Sequence, residues 1–223
     1  NPRVNAVVRV LEDDALAQAR KADAALAAGS PLGPLHGVPF TIKENIATKG
    51  DPLPLGTAAT ELVPVSTDAP PAARVRESGG VMVAKTTMPD YGMLSSGLSS
   101  FHPLSRNPWD LSKTPGGSSA RAAAAAAAGY GPLHIATDIG GSLRFPAYAC
   151  GAATVKPGLG RVPAYNPSAA AERGMLAQVM SVQGVICREV RDVRLAMRAL
   201  VGYDPRDPWQ VPMPFEGTPE PRP

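Results

Sequence analysis

The sequence predicts an α/β fold, on three observations. A helical apolar rhythm over 6–28 is halted by Gly29-Ser30-Pro31. A helical stretch at 70–78 runs through Gly79-Gly80 into the apolar run Val81-Met82-Val83-Ala84. An alanine-rich stretch from Ser119 to Ala128 precedes another apolar run, Leu133 to Ala136. Helix, glycine turn and strand in alternation is the pattern of a sheet covered by helices.

Each element has its own warrant. In 6–28, Val7, Val8, Val10, Leu11, Ala15, Leu16, Ala19, Ala22 and Leu26 fall on one helical face. Val38 to Lys43 is a short run of β-formers and predicts a buried strand. Pro, Thr and Gly make 48–69 a loop. Pro70 and Pro71 suit the first turn of the helix over 70–78. Residues 86–117 form a long loop, of the kind that is usually functional or mobile. Residues 151–156 predict a further strand ending at Pro157, and Glu189 to Val201 is amphipathic and helical. Residues 205–223 hold many of the chain's 25 prolines, so the expected organisation is a core over 1–204 and an extended or disordered Pro-rich tail over 205–223.

Composition narrows the function classes. With 223 residues, 44% hydrophobic and 18% charged, the chain can bury a core. A net charge of +3 from scattered Lys and Arg, with 5% aromatics, argues against a nucleic-acid partner. Two cysteines, Cys150 and Cys187, lie in apolar surroundings, which predicts buried, reduced thiols and a cytoplasmic location. No apolar run reaches membrane-spanning length, and no leader pattern opens the chain, which begins on Asn1 rather than Met. No H-E-x-x-H is present and His36, His102 and His134 stand apart, so no metal or organic cofactor is expected.

The residues that carry chemistry are two serines and one lysine. Ser142 ends Thr137-Asp138-Ile139-Gly140-Gly141-Ser142, directly after a predicted strand. Adjacent glycines let consecutive N–H groups converge on one anionic oxygen, with the serine as nucleophile. The bland alternative is a glycine turn whose serine caps the next element. Ser118, in Gly116-Gly117-Ser118-Ser119, precedes the alanine helix and is equally readable as its N-cap or as part of a phosphate cradle, although no Gly-Lys-Ser/Thr follows. Lys43 ends the strand Val-Pro-Phe-Thr-Ile. A lysine there is a buried base, or it reaches out to solvent, or it pairs with Glu44 or Asp138.

Taken together these segments resemble the amidase signature family. Gly116 to Pro163 reads GGSSARAAAAAAAGYGPLHIATDIGGSLRFPAYACGAATVKPGLGRVP, with GGSS, a small-residue helix, TD-x-GGS-x-R-x-P, Cys-Gly and KP-x-x-GRVP in order. GPLHGVPFTIKENI is similar to the family's catalytic-lysine segment. VMVAKTTMPDYG, NPWD and GVICREVRDVRLAMRALVG are similar to its flanking blocks. The resemblance covers most of 4–209.

The resemblance implies a mixed central β-sheet flanked by helices, incomplete here on its C-terminal side, because family members are much longer. It implies Lys43 as general base, Ser118 as a bridging serine after a cis Gly117-Ser118 bond, and Ser142 as nucleophile. It implies an oxyanion hole from the N–H groups of Ile139, Gly140, Gly141 and Ser142, with Ser119, Asp138 and Arg144 in support. The reaction implied is hydrolysis of a small-molecule carboxamide through an acyl-enzyme. Lys43 must then be neutral near pH 7, a fall from roughly 10.4 that only burial can produce.

Two departures stand out. Ala120 and Arg121 occupy positions where the family has glycines; the arginine then depresses the lysine pKa, obstructs the pocket or points to solvent. The short chain also leaves open an inactive fragment serving as an assembly module, a component of an amidotransferase, or a second chain or homo-oligomer that completes the sheet. A Ser-His-Asp hydrolase is the remaining rival, and no G-x-S-x-G elbow supports it.

Overall fold

The computed structural model describes residues 1–167, 174–211, 213 and 215. Six strands form one mixed sheet: β1 (Arg9–Val10), β2 (Pro39–Lys43), β3 (Val81–Thr86), β4 (Leu133–Asp138), β5 (Ala153–Thr154) and β6 (Val182–Cys187). Their order is β1-β3-β2-β4-β6-β5. The central pairs β3/β2 and β2/β4 are parallel, and the outer pairs β1/β3, β4/β6 and β6/β5 are antiparallel. Six helices accompany them: α1 (Glu12–Ala27), α2 (Pro70–Glu77), α3 (Ala120–Ala127), α4 (Arg144–Cys150), α5 (Met175–Met180) and α6 (Val190–Leu200).

Alternation along β2 divides its side chains between two environments. Phe40 and Ile42 join a large apolar cluster with Leu35, Val75, Val185, Val193 and Leu200, the layer shared with α2 and α6. Thr41 and Lys43 point to the opposite face, where Thr41 Oγ1 lies 2.8 Å from His134 Nδ1. Helix α3 covers that face. Residues 120–126 are all buried, because the helix packs on β4, β6 and α4 while Ala124 and Ala125 meet Val4 and Ala6 on another side. Alanine suits a helix hemmed in on every side, being small and an excellent helix former. Both cysteines are buried and free, as expected.

The sequence-based boundaries need four corrections. The helix expected from residue 6 begins at Glu12, because Arg9 and Val10 pair with Lys85 and Ala84 as an edge strand. Strand β6, unassigned from sequence, lies between β4 and β5; Gln183 and Gly184 interrupt its apolar run. Helix α4, also unassigned, carries an internal Pro146 and stops at Gly151, whose φ of 67° suits the left-handed residue after a helix. Helix α5 likewise went unread. The 86–117 segment contains one 3₁₀ turn, Asp90–Gly92.

The start of the Pro-rich segment is tied to the core. Asp207 accepts the N–H of Ala164 at 2.8 Å, and Val211 N–H reaches Gly160 O at 3.0 Å. Residues 212, 214 and 216–223 of that segment lie outside the described residues.

Gly117 is where packing demands glycine. A methyl group there would lie 2.5 Å from Ser96 N and 2.7 Å from Leu94 O, both backbone atoms. Gly140 has nothing within 4 Å of the same position. Gly117→Ala is therefore expected to lower Tm by several degrees, the effect of about 1–3 kcal/mol of overpacking. Gly140→Ala should leave Tm within about 2 °C. Equal shifts in a thermal melt would contradict this placement.

Candidate active site

The three singled-out side chains converge at the C-terminal ends of β2 and β4, where open α/β sheets place their ligands. Lys43 is the last residue of β2 and is fully buried. Its Nζ donates to Ser118 Oγ at 2.8 Å, Ser119 Oγ at 3.1 Å and Thr137 Oγ1 at 3.2 Å. It reaches neither solvent nor a carboxylate: Glu44 is engaged by His102 Nε2 (2.9 Å) and the Met88 N–H (3.2 Å), and Asp138 by Arg144. Burial lowers its pKa from 10.5 to about 7, with Glu44 and Asp138 pulling weakly the other way.

Ser118 sits immediately before α3, and its peptide bond with Gly117 is cis. Its hydroxyl goes to Lys43 and not to a helix cap; Ser119 is the N-cap of α3 and makes no side-chain cap bond. Gly92 closes over it, since a methyl group there would lie 3.3 Å from Ser118 Oγ. Ser142 lies in the turn between β4 and α4, half-buried. Its carbonyl accepts the Ser119 N–H at 3.1 Å, which clasps the two serine-bearing turns together. Among the described residues its hydroxyl has no partner and caps nothing, so the capping alternative fails for Ser142 as well.

Asp138 shapes that turn. Its two oxygens accept the N–H groups of Gly141 (2.8 Å) and Leu143 (2.9 Å) and both Nε (3.1 Å) and Nη2 (3.0 Å) of Arg144. Burial pushes the Asp138 carboxyl up, but Arg144 and the two amides outweigh it and hold the group below its ordinary range. Gly141 N–H is thereby occupied. Those of Ile139, Gly140 and Ser142 have no partner among the described residues.

Other expectations meet plain outcomes. Arg121 is buried rather than solvent-facing: its guanidinium binds Pro103 O, pinning the 86–117 loop, and burial lowers its pKa to about 10. It makes no bond to Lys43 and leaves the three-residue cluster unobstructed. The histidine rival loses its geometry, because His36 contacts Ala22 O, His102 Glu44 and His134 Thr41, and none joins a serine. Sequence reasoning missed Thr137 and Asn45. Thr137 Oγ1 takes both Lys43 Nζ and Asn45 Nδ2 (3.1 Å). The available signal was period-two alternation, which puts a β4 residue beside the end of β2. No group of His, Cys, Asp and Glu suited to a metal occurs among the described residues, and no helix is long and apolar enough to cross a membrane.

A mixed sheet, a buried lysine on two serine hydroxyls and a glycine turn held by a carboxylate define an amidase-type hydrolase scaffold. The amidase family model matches residues 1–222, and the chain belongs to that family. Indoleacetamide hydrolase of Bradyrhizobium diazoefficiens is 47% identical over 222 residues, all of this chain and 42% of that protein. The A chain component of glutamyl-tRNA(Gln) amidotransferase from Anaeromyxobacter sp. is 42% identical over 205 residues, 92% of this chain and 40% of that protein. A bacterial aryl acylamidase of the amidase signature family superposes with a TM-score of 0.84 at 32% identity, over 94% of this chain and 43% of that one. The chain thus spans less than half the length of the relatives it matches.

The Lys43 pKa has a consequence for stability. Between pH 7 and 10.5 the unfolded chain keeps a proton that the folded protein has lost. Stability therefore rises with pH across that window, by up to about 1.4 kcal/mol per pH unit. Lys85, buried and lowered to about 8, acts in the same direction. Urea unfolding between pH 7 and 9.5 should show a shallower rise in Lys43→Met, with a remainder from Lys85. An unchanged slope would mean that Lys43 titrates normally.

Proposed function

We propose that the protein carries the catalytic half of an amidase that hydrolyses a carboxamide C–N bond through an acyl-enzyme on Ser142. The observation that carries this is a fully buried Lys43, near neutrality at pH 7, with Nζ 2.8 Å from Ser118 Oγ. Neutral Lys43 takes the Ser118 proton as Ser118 takes that of Ser142, and Ser142 Oγ bonds to the substrate carbonyl carbon. The N–H groups of Ile139, Gly140 and Ser142 hold the oxyanion, and Gly141, from the same expected set, serves mainly by anchoring the turn to Asp138. Collapse breaks the C–N bond, with the relayed proton going to the leaving nitrogen. Water then attacks the ester, gives its proton back along the relay and frees the acid. Ser119 holds Lys43 and the Ser142 turn, and Arg144 holds Asp138.

The substrate we favour is an aryl-substituted carboxamide releasing ammonia, supported by the likeness to indoleacetamide hydrolase and aryl acylamidase. Glutamine as amide donor is the second reading, favoured by the glutamyl-tRNA(Gln) amidotransferase components among the relatives. In either case further polypeptide, from the same protein or a second chain, completes the acyl side of the pocket. Ammonia release from indole-3-acetamide against glutamine decides between them.

A fluorophosphonate probe should label Ser142, and Ser142→Ala should abolish labelling and hydrolysis while Tm stays within about 2 °C of wild type. A Ser142→Ala protein that retains its rate would end the assignment. The labelling rate should rise with pH through a midpoint near 7, because only deprotonated Lys43 accepts the proton. A flat profile between pH 6 and 8 would exclude Lys43 as the base.

A further inference from the structure

The hydrogen-bond geometry around Lys43 contains a choice that its own residues do not settle. As an ammonium it has three N–H groups for three hydroxyls, Ser118, Ser119 and Thr137. As the neutral base it has two N–H groups and one lone pair, so one hydroxyl must donate to the nitrogen. The relay works only if that donor is Ser118. Ser119 is not a competitor, since its proton goes to the Thr137 carbonyl at 3.1 Å and its oxygen is left to accept. Thr137 is the competitor.

What becomes of the Thr137 proton depends on Asn45. With Asn45 Nδ2 donating to Thr137 Oγ1 at 3.1 Å, the threonine proton has only the lysine nitrogen to go to, and the lone pair is taken. With the carboxamide turned by half a revolution, Oδ1 accepts the Thr137 proton instead. Thr137 then accepts from Lys43, and the lone pair is left for Ser118. Oδ1 is buried and without a partner among the described residues, so the half-turn breaks no contact at that end. Oxygen and nitrogen of a carboxamide are nearly the same size, so the turn changes donors and acceptors without changing packing.

We propose that Asn45 is a positioning residue: its carboxamide oxygen takes the Thr137 proton and thereby reserves the Lys43 lone pair for Ser118. This rests on the acyl-transfer reading of the site. The test is the rate of fluorophosphonate labelling at Ser142, measured from pH 6 to 9 in a double-mutant cycle of Asn45→Ala and Thr137→Val, with thermal melts confirming that each variant is folded. In the wild-type background Asn45→Ala should slow labelling by about tenfold on the alkaline plateau, the effect of one misdirected hydrogen bond. In the Thr137→Val background, which has no competing hydroxyl, Asn45→Ala should slow it no further. Asn45→Asp, which can accept the Thr137 proton, should label faster on the plateau than Asn45→Ala, with its midpoint moved to higher pH by the added negative charge. An equal loss in both backgrounds, or no loss in the wild-type background, overturns the inference and leaves Ser142 as nucleophile. A wild-type protein that is never labelled removes the acyl-transfer reading, and this inference falls with it.

Discussion

The site depends on taking one amine out of water without giving it a counter-ion. Lys43 is enclosed by β2, β4 and α3, and its three hydrogen-bond partners are all neutral hydroxyls. Desolvation then acts against the charged form with little opposition. The two nearest carboxylates are each diverted, Glu44 to His102 and the Met88 amide, Asp138 to Arg144 and the turn amides. Either of them in contact with Nζ would stabilise the ammonium and disable the base. Lys85 on the neighbouring strand shows the contrast: it lies 3.7 Å from Asp51, bonds Thr48, and stays nearer its ordinary value at about 8.

The carboxylate diversion has a second effect. Asp138 is spent on the β4–α4 turn, and this places Ser142 and the free amides of Ile139 and Gly140 on its rim. A rigid turn matters because preorganised donors cost no reorganisation when charge develops. One residue thus serves both ends of the relay, by not neutralising Lys43 and by fixing the loop that bears Ser142. The Ser119 N–H to Ser142 O bond joins those ends directly.

Legibility in the sequence followed how local each signal is. Strands β2, β3 and β4 and helices α2, α3 and α6 announce themselves through apolar runs, proline at a first turn and period 3.6. Strand β6 does not, because glycine and glutamine break its pattern and its place between β4 and β5 is a long-range fact. Helix α4 was hidden by Pro146 and by a start defined through Asp138 rather than a serine cap. At the site, Lys43, Ser118 and Ser142 were legible because glycines and an isolated lysine mark them. Their partners Thr137 and Asn45 were not, since the contact of an ordinary threonine with an asparagine across two strands leaves no trace in composition. Arg121 was open in sequence and resolved only by packing, where its head group found the carbonyl of Pro103.

The relay is asymmetric, and this bears on a chain less than half as long as its relatives. Its base end is closed: Lys43 and Ser119 are fully buried and Ser118 nearly so, all within 43–142. Its acyl end is open: Ser142 is half-buried, with Ile139, Phe145 and Tyr148 exposed in the adjoining turn and helix. The two ends have opposite requirements, since a base must be dry to lose its proton and a nucleophile must be reachable. Whatever polypeptide lines the acyl side therefore governs which amide is admitted. It is not needed to neutralise Lys43, because the strands and the alanine helix present here already exclude water from it.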